Sequence, residues 1–357
     1  MLAGKKAEEM TMNKRYKPIP TIREVAEMAE VGTTTVSRVI NGGRNVNRST
    51  LARVQKAIKT LGYVPSQAAR TLKGERTKTV GLVIPSINDP FFSSCAKAID
   101  AVAHDHDSLV LVTTTNDDPD TVITGINFMV RHSADGVIVV PAKTENGALS
   151  DLLSRLPMPI VLMDRPVKGF EAISVVASNF EGARLATKHL IEHGCKRILC
   201  LTGETMLYTL SERIRGYQQV VKSAKYPCMI ETSAKNYETT KRALKRAFSG
   251  SNPPDAIFTL KNSTTIYAYQ ALQRLNISMP RPVALLGYDD FDLAEMLSPP
   301  ISVIQQPIEK IGQTSAEILF KQIQGWNSSD PHFLRQHAKQ TVLDVKLIRR
   351  RSCGCQV

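Results

Sequence analysis

The stretch from Thr21 to Gly62 carries the local signals of three short helices and constrains the fold more than any other part of the chain. Thr21 and Glu24 form a capping-box pattern, in which each side chain can bond the backbone amide of the other, so a helix begins here. Val25, Met28 and Ala29 then give that helix one apolar face. A turn at 31–32 contains glycine and leads into a second short helix over 33–40. Two such helices joined by a tight turn form a helix-turn-helix.

The second helix carries small hydroxyl side chains and Arg38, which suit hydrogen bonding to base edges in a major groove. A third helix is predicted to begin after Asn47 as N-cap and to end at Gly62. Beyond Pro65, the sequence predicts a helix of about two turns over 66–73. Isolated helices this short are marginal in water, so we expect it to form only against another surface.

Positive charge is concentrated in the same region. Residues 14–78 contain 14 Lys or Arg against four acids, so this segment carries +10 of the formal net charge of +13. A basic block that coincides with a helix-turn-helix pattern indicates a surface for DNA phosphates. The alternative is a solvated basic surface with no partner. The coincidence of the basic block with the helix-turn-helix pattern argues against this alternative.

Three segments, 21–26, 35–41 and 63–72, resemble the head and hinge of the LacI/GalR family of bacterial transcription regulators, and the resemblance extends from about Pro20 to Cys353. It implies a homodimer in which two heads read double-stranded operator DNA, while two hinge helices enter the minor groove and Leu72 wedges between base pairs. By this resemblance, Thr33 and Thr34 occupy the main specificity positions. The positions predicted to contact DNA are Thr21, Thr33, Thr34, Thr35, Ser37, Arg38, Asn41, Arg48, Tyr63, Ala69 and Leu72.

After residue 78, short apolar runs alternate with amphipathic segments. Runs begin near residues 80, 109, 136, 160, 198, 256 and 283, and alternation of this kind predicts a doubly wound parallel sheet. About 280 residues suit two lobes better than one core. The family resemblance implies the same architecture, a type I periplasmic-binding-protein fold. The fold class is therefore a small all-α head followed by an α/β effector-binding domain of two doubly wound lobes.

The predicted boundaries follow from these patterns. Residues 1–20 are a flexible tail, 21–64 the helix-turn-helix domain, 65–78 the hinge and linker, and 79–357 the effector-binding and dimerisation domain. Within the last of these, an N-lobe takes about 79–177 and 305–338, and a C-lobe about 178–304 and 339–351. The three predicted crossovers lie near 175–179, 289–304 and 337–340.

Polar side chains follow several of the predicted strands. Because ligands of such folds bind outside the carboxyl ends of the strands, these side chains are candidates for an inter-lobe site. The resemblance places effector-contacting groups at Phe91, Asp164, Arg213 and Asp289. Arginine with flanking carboxylates suits a hydroxyl-rich ligand, and an aromatic face suits sugar C–H groups or a base.

Lys261 stands where the family usually has Asn, and it completes the predicted effector site. Together with Arg213 it would favour an anionic ligand such as a sugar acid or sugar phosphate. The alternative is that Lys261 points to solvent or pairs with Asp289.

Other motifs give little support for catalysis. His189 and His193 match a His-x-x-Glu-His zinc pattern that includes Glu192, but a helix end that favours histidine explains them, and Cys353 and Cys355 have no evident partner pair for zinc. The sequence shows no nucleophile elbow, phosphate loop or dinucleotide fingerprint. We therefore expect no enzymatic activity, no cofactor and no metal.

The sequence predicts a cytoplasmic, DNA-binding transcription regulator, a repressor of carbohydrate-utilisation genes controlled by a sugar, sugar acid or sugar phosphate. It has no signal peptide and no apolar run of about 20 residues, so no membrane contact is expected. A purine- or nucleoside-responsive regulator of the same family is the main alternative. A solute-binding protein and a metallohydrolase are more remote alternatives.

Overall fold

The computed structural model describes residues 20–42, 46–64, 76–142, 147–203, 207–326 and 339–356. The chain divides into two compact units, Met1–Thr77 and Lys78–Val357. The predicted hinge helix, with Ala69 and Leu72, lies outside the described residues, as does nearly all of the predicted N-terminal tail. Within the described ranges, no helix combines the length and the hydropathy needed to cross a membrane.

The first unit contains three helices: α1 (Ile22–Met28), α2 (Thr33–Ile40) and α3 (Arg48–Leu61). The predicted capping box is confirmed, because Thr21 N donates to Glu24 Oε2 at 2.6 Å and Glu24 N donates to Thr21 Oγ1 at 3.4 Å. The bonds that Thr21 N and Thr21 Oγ1 donate to the Glu24 carboxylate lower the pKa of Glu24. The N-cap at Asn47 is also confirmed, since its Oδ1 accepts from Thr50 N at 2.8 Å.

Val25, Ala29, Val36 and Val54 form the centre of the head core, each no more than 1% exposed. The prediction that Met28 shares this face is wrong, because its side chain is 49% exposed. Helix α1 has only seven residues, so its buried stripe is narrow and is filled by the small residues around Val25. Gly62 ends α3 in the left-handed region at φ +65°.

The second unit contains two six-stranded sheets. In chain order the strands are β1 (Thr79–Ile84), β2 (Leu109–Thr114), β3 (Gly136–Val139), β4 (Ile160–Met163), β5 (Ser174–Ala177), β6 (Ile198–Leu201), β7 (Met229–Glu231), β8 (Ala256–Thr259), β9 (Ala284–Tyr288), β10 (Ser302–Gln305), β11 (Gln340–Leu343) and β12 (Lys346–Ile348). The N-lobe sheet has the order β11-β5-β4-β3-β1-β2, and the C-lobe sheet β12-β10-β9-β8-β6-β7. The two orders match strand for strand, and only the β10–β12 pair is antiparallel among the described pairings.

Helices cover both faces of each sheet. They are α4 (Pro90–Asp105), α5 (Pro119–Arg131), α6 (Ala148–Leu153), α7 (Asn179–Glu192), α8 (Tyr208–Ser223), α9 (Tyr237–Ser249), α10 (Asn262–Arg274) and α11 (Ile308–Gly325), and a 3₁₀ turn follows at Arg351–Cys353. The central strands are buried on both sides, which is why they read as continuous apolar runs in the sequence. Helices α7 and α8 approach closely at Gly216, where a Cβ atom would lie 2.3 Å from Phe180 O.

The structure corrects two of the predicted crossovers. β10 extends to Gln305 and pairs with β9 in the C-lobe, so the chain returns to the N-lobe after residue 305 rather than within 289–304. Gln340–Leu343 pairs with β5 in the N-lobe, so the last crossing occurs at residues 344–345 rather than at 337–340. β11 alternates between exposed and half-buried positions, and an edge strand of that kind gives no buried run to recognise.

The first and last crossovers contact each other directly. Ser178 N donates to Leu343 O at 2.9 Å, and Val345 N donates to Ser178 Oγ at 3.2 Å. Val345 also packs against the hydrophobic cores of both lobes. The two lobes are therefore joined at a hydrogen-bonded and packed junction.

Candidate functional site

Two aspartates occupy equivalent positions in the two lobes. Asp164 follows β4 and Asp289 follows β9, the strands that hold the same place in the two sheet orders. Both have φ +69°, a left-handed conformation that Asp tolerates better than most residues. Each backbone N–H donates to the neighbouring strand, to Val175 O at 2.9 Å and to Ile304 O at 2.8 Å. The local structure thus holds two carboxylates at the carboxyl ends of the central strands.

Arg213, on α8, is buried and is bonded to protein groups through Nε and Nη1. Its Nε donates to Asn179 Oδ1 at 2.8 Å, and its Nη1 donates to Leu260 O at 2.7 Å and lies 3.4 Å from Asp289 Oδ2. Its guanidinium lies over the ring of Tyr288, 3.6 Å from the centroid. The side chain is only 4% exposed, so its orientation is fixed before any ligand arrives.

A second arginine supports the carboxylate of the N-lobe. Arg165 Nε donates to Asp164 Oδ2 at 2.9 Å, and Arg165 Nη1 donates to Asp117 Oδ1 at 2.5 Å. Burial raises the pKa of Asp164, while the positive charges of Arg165 and Arg213 pull it in the other direction. Asp164 and its arginines therefore form a buried polar network whose charges depend on one another.

All five predicted effector residues line one cavity between the lobes. Its volume is about 50 Å³, and its lining residues are Asp89, Phe91, Phe92, Asp164, Arg165, Leu207, Thr209, Leu210, Arg213, Lys261, Asp289 and Gln306. A larger cleft of about 630 Å³ adjoins it and shares Leu207, Leu210 and Lys261 with it. The structure brings together the residues that the sequence singled out from five separate segments.

Lys261 has a different partner from the one considered in the sequence. Its Nζ lies 3.2 Å from Asp89 Oδ2, so it pairs across the cleft with the N-lobe rather than with Asp289 or with solvent alone. Asp89 is also the N-cap of α4, accepting from Phe91 N at 3.1 Å. The premise of two uncompensated cations facing a ligand is therefore wrong: the lining residues include three cations and three aspartates.

The sequence placed Asp89 and Arg165 near the cleft, beside Phe91 and Asp164, without assigning them an effector contact. It missed Gln306, which follows the unpredicted strand β10. Gln306 Nε2 donates to Asp289 Oδ1 at 2.6 Å, whereas its buried Oε1 has no hydrogen-bond partner among the described residues. A buried acceptor without a partner is costly, so this oxygen is suited to a donor supplied by a ligand.

Most of the predicted DNA contacts in the described part of the head lie on α2 or at its C-cap. Thr33, Thr34 and Arg38 are exposed, whereas Val36 and Val39 face the head core. Asn41 Nδ2 donates to Ser37 Oγ at 3.5 Å, and Thr21 Oγ1 donates to Glu24 Oε2 at 2.8 Å. The remaining described positions are Thr35 and Tyr63, which are half-buried, and Arg48, which is exposed.

A second cluster of reactive side chains lies away from the cleft. The expectation that Cys353 and Cys355 have no partner pair is wrong, because the structure places them beside His189 and His193. The four side chains come from two segments about 160 residues apart. Because the two pairs are so far apart in the sequence, no short-range spacing motif could predict the cluster.

Comparison with known families matches both units of the chain. Residues 21–66 match the model described as bacterial regulatory proteins, lacI family, and residues 187–353 match the periplasmic binding protein-like domain. The ribose operon repressor of Haemophilus influenzae is 30% identical over 312 residues, covering 87% of this chain and 93% of its own. The chain belongs to the LacI family. It is thus a DNA-binding transcription regulator with a ligand-binding second domain.

Other LacI-family proteins extend the comparison. The transcriptional repressor PurR of Aliivibrio salmonicida is also 30% identical, over 85% of this chain and 92% of its own. Among solved structures, a transcriptional regulator CelR–cellobiose complex superposes with a TM-score of 0.66 at 28% identity, covering 93% of this chain and 99% of its own. The lac repressor dimer bound to operator has a TM-score of 0.79 at 22% identity, covering 94% and 99%, and shows the shared fold.

Arg38→Ala is expected to weaken binding to the operator more than binding to random DNA. An arginine that forks onto a guanine discriminates bases by about 1–3 kcal/mol, whereas a phosphate contact lacks sequence information. Arg23→Ala, at an exposed position on α1, is the matched control and should affect both DNAs alike. Equal losses for Arg38→Ala on the two DNAs, measured by fluorescence anisotropy, would show that Arg38 contacts phosphate.

Proposed function

We propose that this LacI-family regulator is a homodimeric repressor of carbohydrate-utilisation genes and that a neutral sugar in the inter-lobe cavity controls its binding to operator DNA. The observation that carries the proposal is the pair of buried carboxylates, Asp164 and Asp289, each held by an arginine at the end of an equivalent strand. A protein that reads operator DNA acts where the chromosome is, so we place it in the cytoplasm.

Charge balance favours a neutral ligand over an anionic one. Each cation that lines the cavity already has a carboxylate within 4 Å: Arg165 has Asp164, Arg213 has Asp289, and Lys261 has Asp89. An added carboxylate or phosphate would compete with these aspartates and leave one of them buried without its partner, which is costly. Sugar hydroxyls both donate and accept, so they can bond to carboxylates and guanidinium groups without displacing either.

The aromatic residues favour a sugar over a nucleobase. Phe91 and Phe92 meet edge to face, with centroids 5.0 Å apart and planes at 89°, so they do not form a slot for a flat ring between parallel faces. One apolar ring beside several carboxylates suits a ligand with C–H groups on one face and hydroxyls around its edge. Among relatives, one carries the name of the ribose operon and one structure holds cellobiose, which agrees with this chemistry.

The small cavity must join the larger cleft to hold a sugar. Sites for small molecules usually enclose about 300–1,000 Å³, and the cavity around Asp164 and Asp289 has only about 50 Å³. Lys261 lines both spaces and bridges to Asp89 on the other lobe. Entry of a sugar therefore requires the Lys261–Asp89 pair to move or to rearrange around it.

The proposal is tested with the full chain and a panel of ribose, glucose, gluconate, ribose 5-phosphate and hypoxanthine. A ligand present at about 100 times its dissociation constant stabilises the folded state by roughly 2.7 kcal/mol, which a thermal unfolding scan resolves. We expect one of the neutral sugars to stabilise the protein and to change its affinity for operator. By reciprocity, operator DNA must change the sugar affinity by the same factor. Stabilisation by the anionic compounds or by hypoxanthine alone would refute the neutral-sugar assignment.

Lys261→Asn is expected to change the affinity for a neutral sugar by less than about fivefold. The Lys261 side chain is 45% exposed, and ion pairs of this kind contribute about 0–1 kcal/mol. An effector that depended on the charge of Lys261 would lose tenfold or more. Asp289→Asn, which alters a buried group of the cavity, is the comparison variant and should weaken sugar binding much more. Calorimetric titration of both variants separates the two cases.

A further inference from the structure

The side chains of His189, His193, Cys353 and Cys355 converge on one point of the C-lobe. Their ligand atoms all lie within 4.8 Å of one another. This group, called here the tail cluster, lies at the end of α7 and at the C-terminal turn, and it takes no part in the cavity described above. Two imidazoles and two thiols in one place are the donor set of a structural zinc site.

The separations of these atoms suit a tetrahedral ion. His189 Nε2 lies 3.2 Å from Cys353 Sγ and 3.5 Å from Cys355 Sγ, His193 Nε2 lies 3.4 Å from Cys355 Sγ, and the two sulfurs are 3.5 Å apart. With Zn–S near 2.3 Å and Zn–N near 2.0–2.1 Å, tetrahedral ligand atoms are separated by about 3.3–3.8 Å. These four separations lie close to this range, and the two others do not exceed 4.8 Å.

The local backbone conformation brings the two histidines together and, separately, the two cysteines. His189 and His193 are four residues apart at the end of α7, so their side chains lie on one helix face. Cys353 and Cys355 flank Gly354, whose φ of +99° lets the chain turn tightly between them. Such a φ strains residues that have a Cβ atom.

Buried hydrogen bonds fix the position of the C-terminal turn. Ser352 N donates to Pro300 O at 2.9 Å, and Ser352 Oγ donates to Leu285 O at 2.6 Å. Ser302 Oγ lies 3.0 Å from Cys353 Sγ, at the distance of the outer hydrogen bonds that orient metal ligands. Cys353 is 1% exposed and His189 is 5% exposed, so half of the tail cluster is enclosed by protein.

We propose that the tail cluster binds one Zn²⁺ ion and thereby fastens the C-terminal turn to α7. Two thiolates neutralise the charge of the ion, which suits a partly buried position. Thiolate and imidazole ligands select zinc over magnesium or calcium, and four protein ligands leave no open position for a substrate. Glu192, the acid of the His-x-x-Glu-His pattern, is exposed and is not among the four ligands, so the site is structural.

The test measures the metal content of the full chain purified with zinc under reducing conditions. We expect about one zinc per chain, and a lower unfolding temperature after a chelator removes it. His193→Ala and Cys355→Ser should each retain at least about tenfold less zinc after dialysis against a weak chelator. Both positions are on the outer side of the cluster, so these variants are expected to fold. His104→Ala and Cys228→Ser, at exposed positions elsewhere, are the matched controls and should keep the metal.

Cobalt provides a second readout that does not depend on stability. Co²⁺ bound in place of zinc should show a thiolate charge-transfer band in the wild type and in the two control variants, and that band should weaken strongly in Cys355→Ser. A wild-type protein that holds no zinc while its thiols are free would overturn the proposal. A Cys353–Cys355 disulfide that persists under reducing conditions would overturn it too.

Discussion

Operator affinity is expected to fall by about 10³–10⁵-fold when salt is raised from about 50 to about 200 mM, as for proteins that neutralise roughly six to ten phosphates. The reason is the concentration of charge: residues 14–78 hold 14 Lys or Arg and four acids. The proposed homodimer would bring two such heads to one site. Bound counterions are released when lysines and arginines take their place, and added salt opposes that release.

Single substitutions show which unit causes this salt dependence. Arg48→Ala, at the exposed start of α3, should lower the slope of log affinity against log salt by about one for each head that contacts a phosphate. Arg274→Ala removes another exposed charge, at the end of α10 in the C-lobe, and should leave the slope unchanged. A slope that does not respond to Arg48→Ala would mean that Arg48 does not contact a phosphate. A flat response of the wild type would contradict the proposed mode of DNA binding.

Arg213→Ala is expected to lower the free energy of unfolding by about 3–5 kcal/mol and to abolish the sugar response. Breaking a buried ion pair leaves an uncompensated charge, here Asp289, and also removes hydrogen bonds to Asn179 and Leu260. Arg215→Ala is the matched control. Arg215 lies two residues along α8, its side chain is 63% exposed, and it pairs with Glu212 at the surface, so its loss should cost less than about 1 kcal/mol.

Arg213→Lys and pH provide two further checks. Lysine keeps the charge but cannot reproduce the planar fork, so we expect an intermediate loss of stability and of sugar affinity. Burial already raises the pKa of Asp164, and removing a nearby cation raises it further. Protonation of Asp164 then removes one negative charge from the network that has lost a cation, so part of the deficit of Arg213→Ala should disappear as pH falls. Arg213→Ala and Arg215→Ala proteins of equal stability would show that the buried network contributes little.

Local signals made the head predictable from the sequence. The capping box at Thr21, the N-cap at Asn47 and the glycine end of α3 each depend on a few neighbouring residues, and all three are confirmed. Most of the inner strands were visible as well, because burial on both faces produces unbroken apolar runs. The inner strands β5 and β10 were not predicted, since their segments were assigned to the crossovers near 175–179 and 289–304. The edge strands β7, β11 and β12 were missed, since they are three or four residues long and only partly buried.

The candidate site was predictable only in part. The family resemblance and the strand ends identified Asp164, Arg213 and Asp289, which the structure brings into one cavity. The partner of Lys261 was not predictable, because its contact with Asp89 depends on how far the two lobes close. The tail cluster was not predictable for a similar reason. Neither the histidine pair nor the cysteine pair indicates a metal site by itself, and only the packing of the C-terminal turn against α7 brings them together.

The last crossover limits the motions that a ligand bound between the lobes can produce. Only residues 344 and 345 separate β11 in one sheet from β12 in the other, so the Cα atoms of Leu343 and Lys346 cannot be more than about 11 Å apart. Val345 is packed into both cores and bonded to Ser178 in the first crossover, which leaves this edge of the domain nearly stationary. This edge can then act as a hinge about which the two lobes rotate relative to each other. A small change of angle at the bound ligand therefore becomes a larger displacement at the surfaces farthest from Val345.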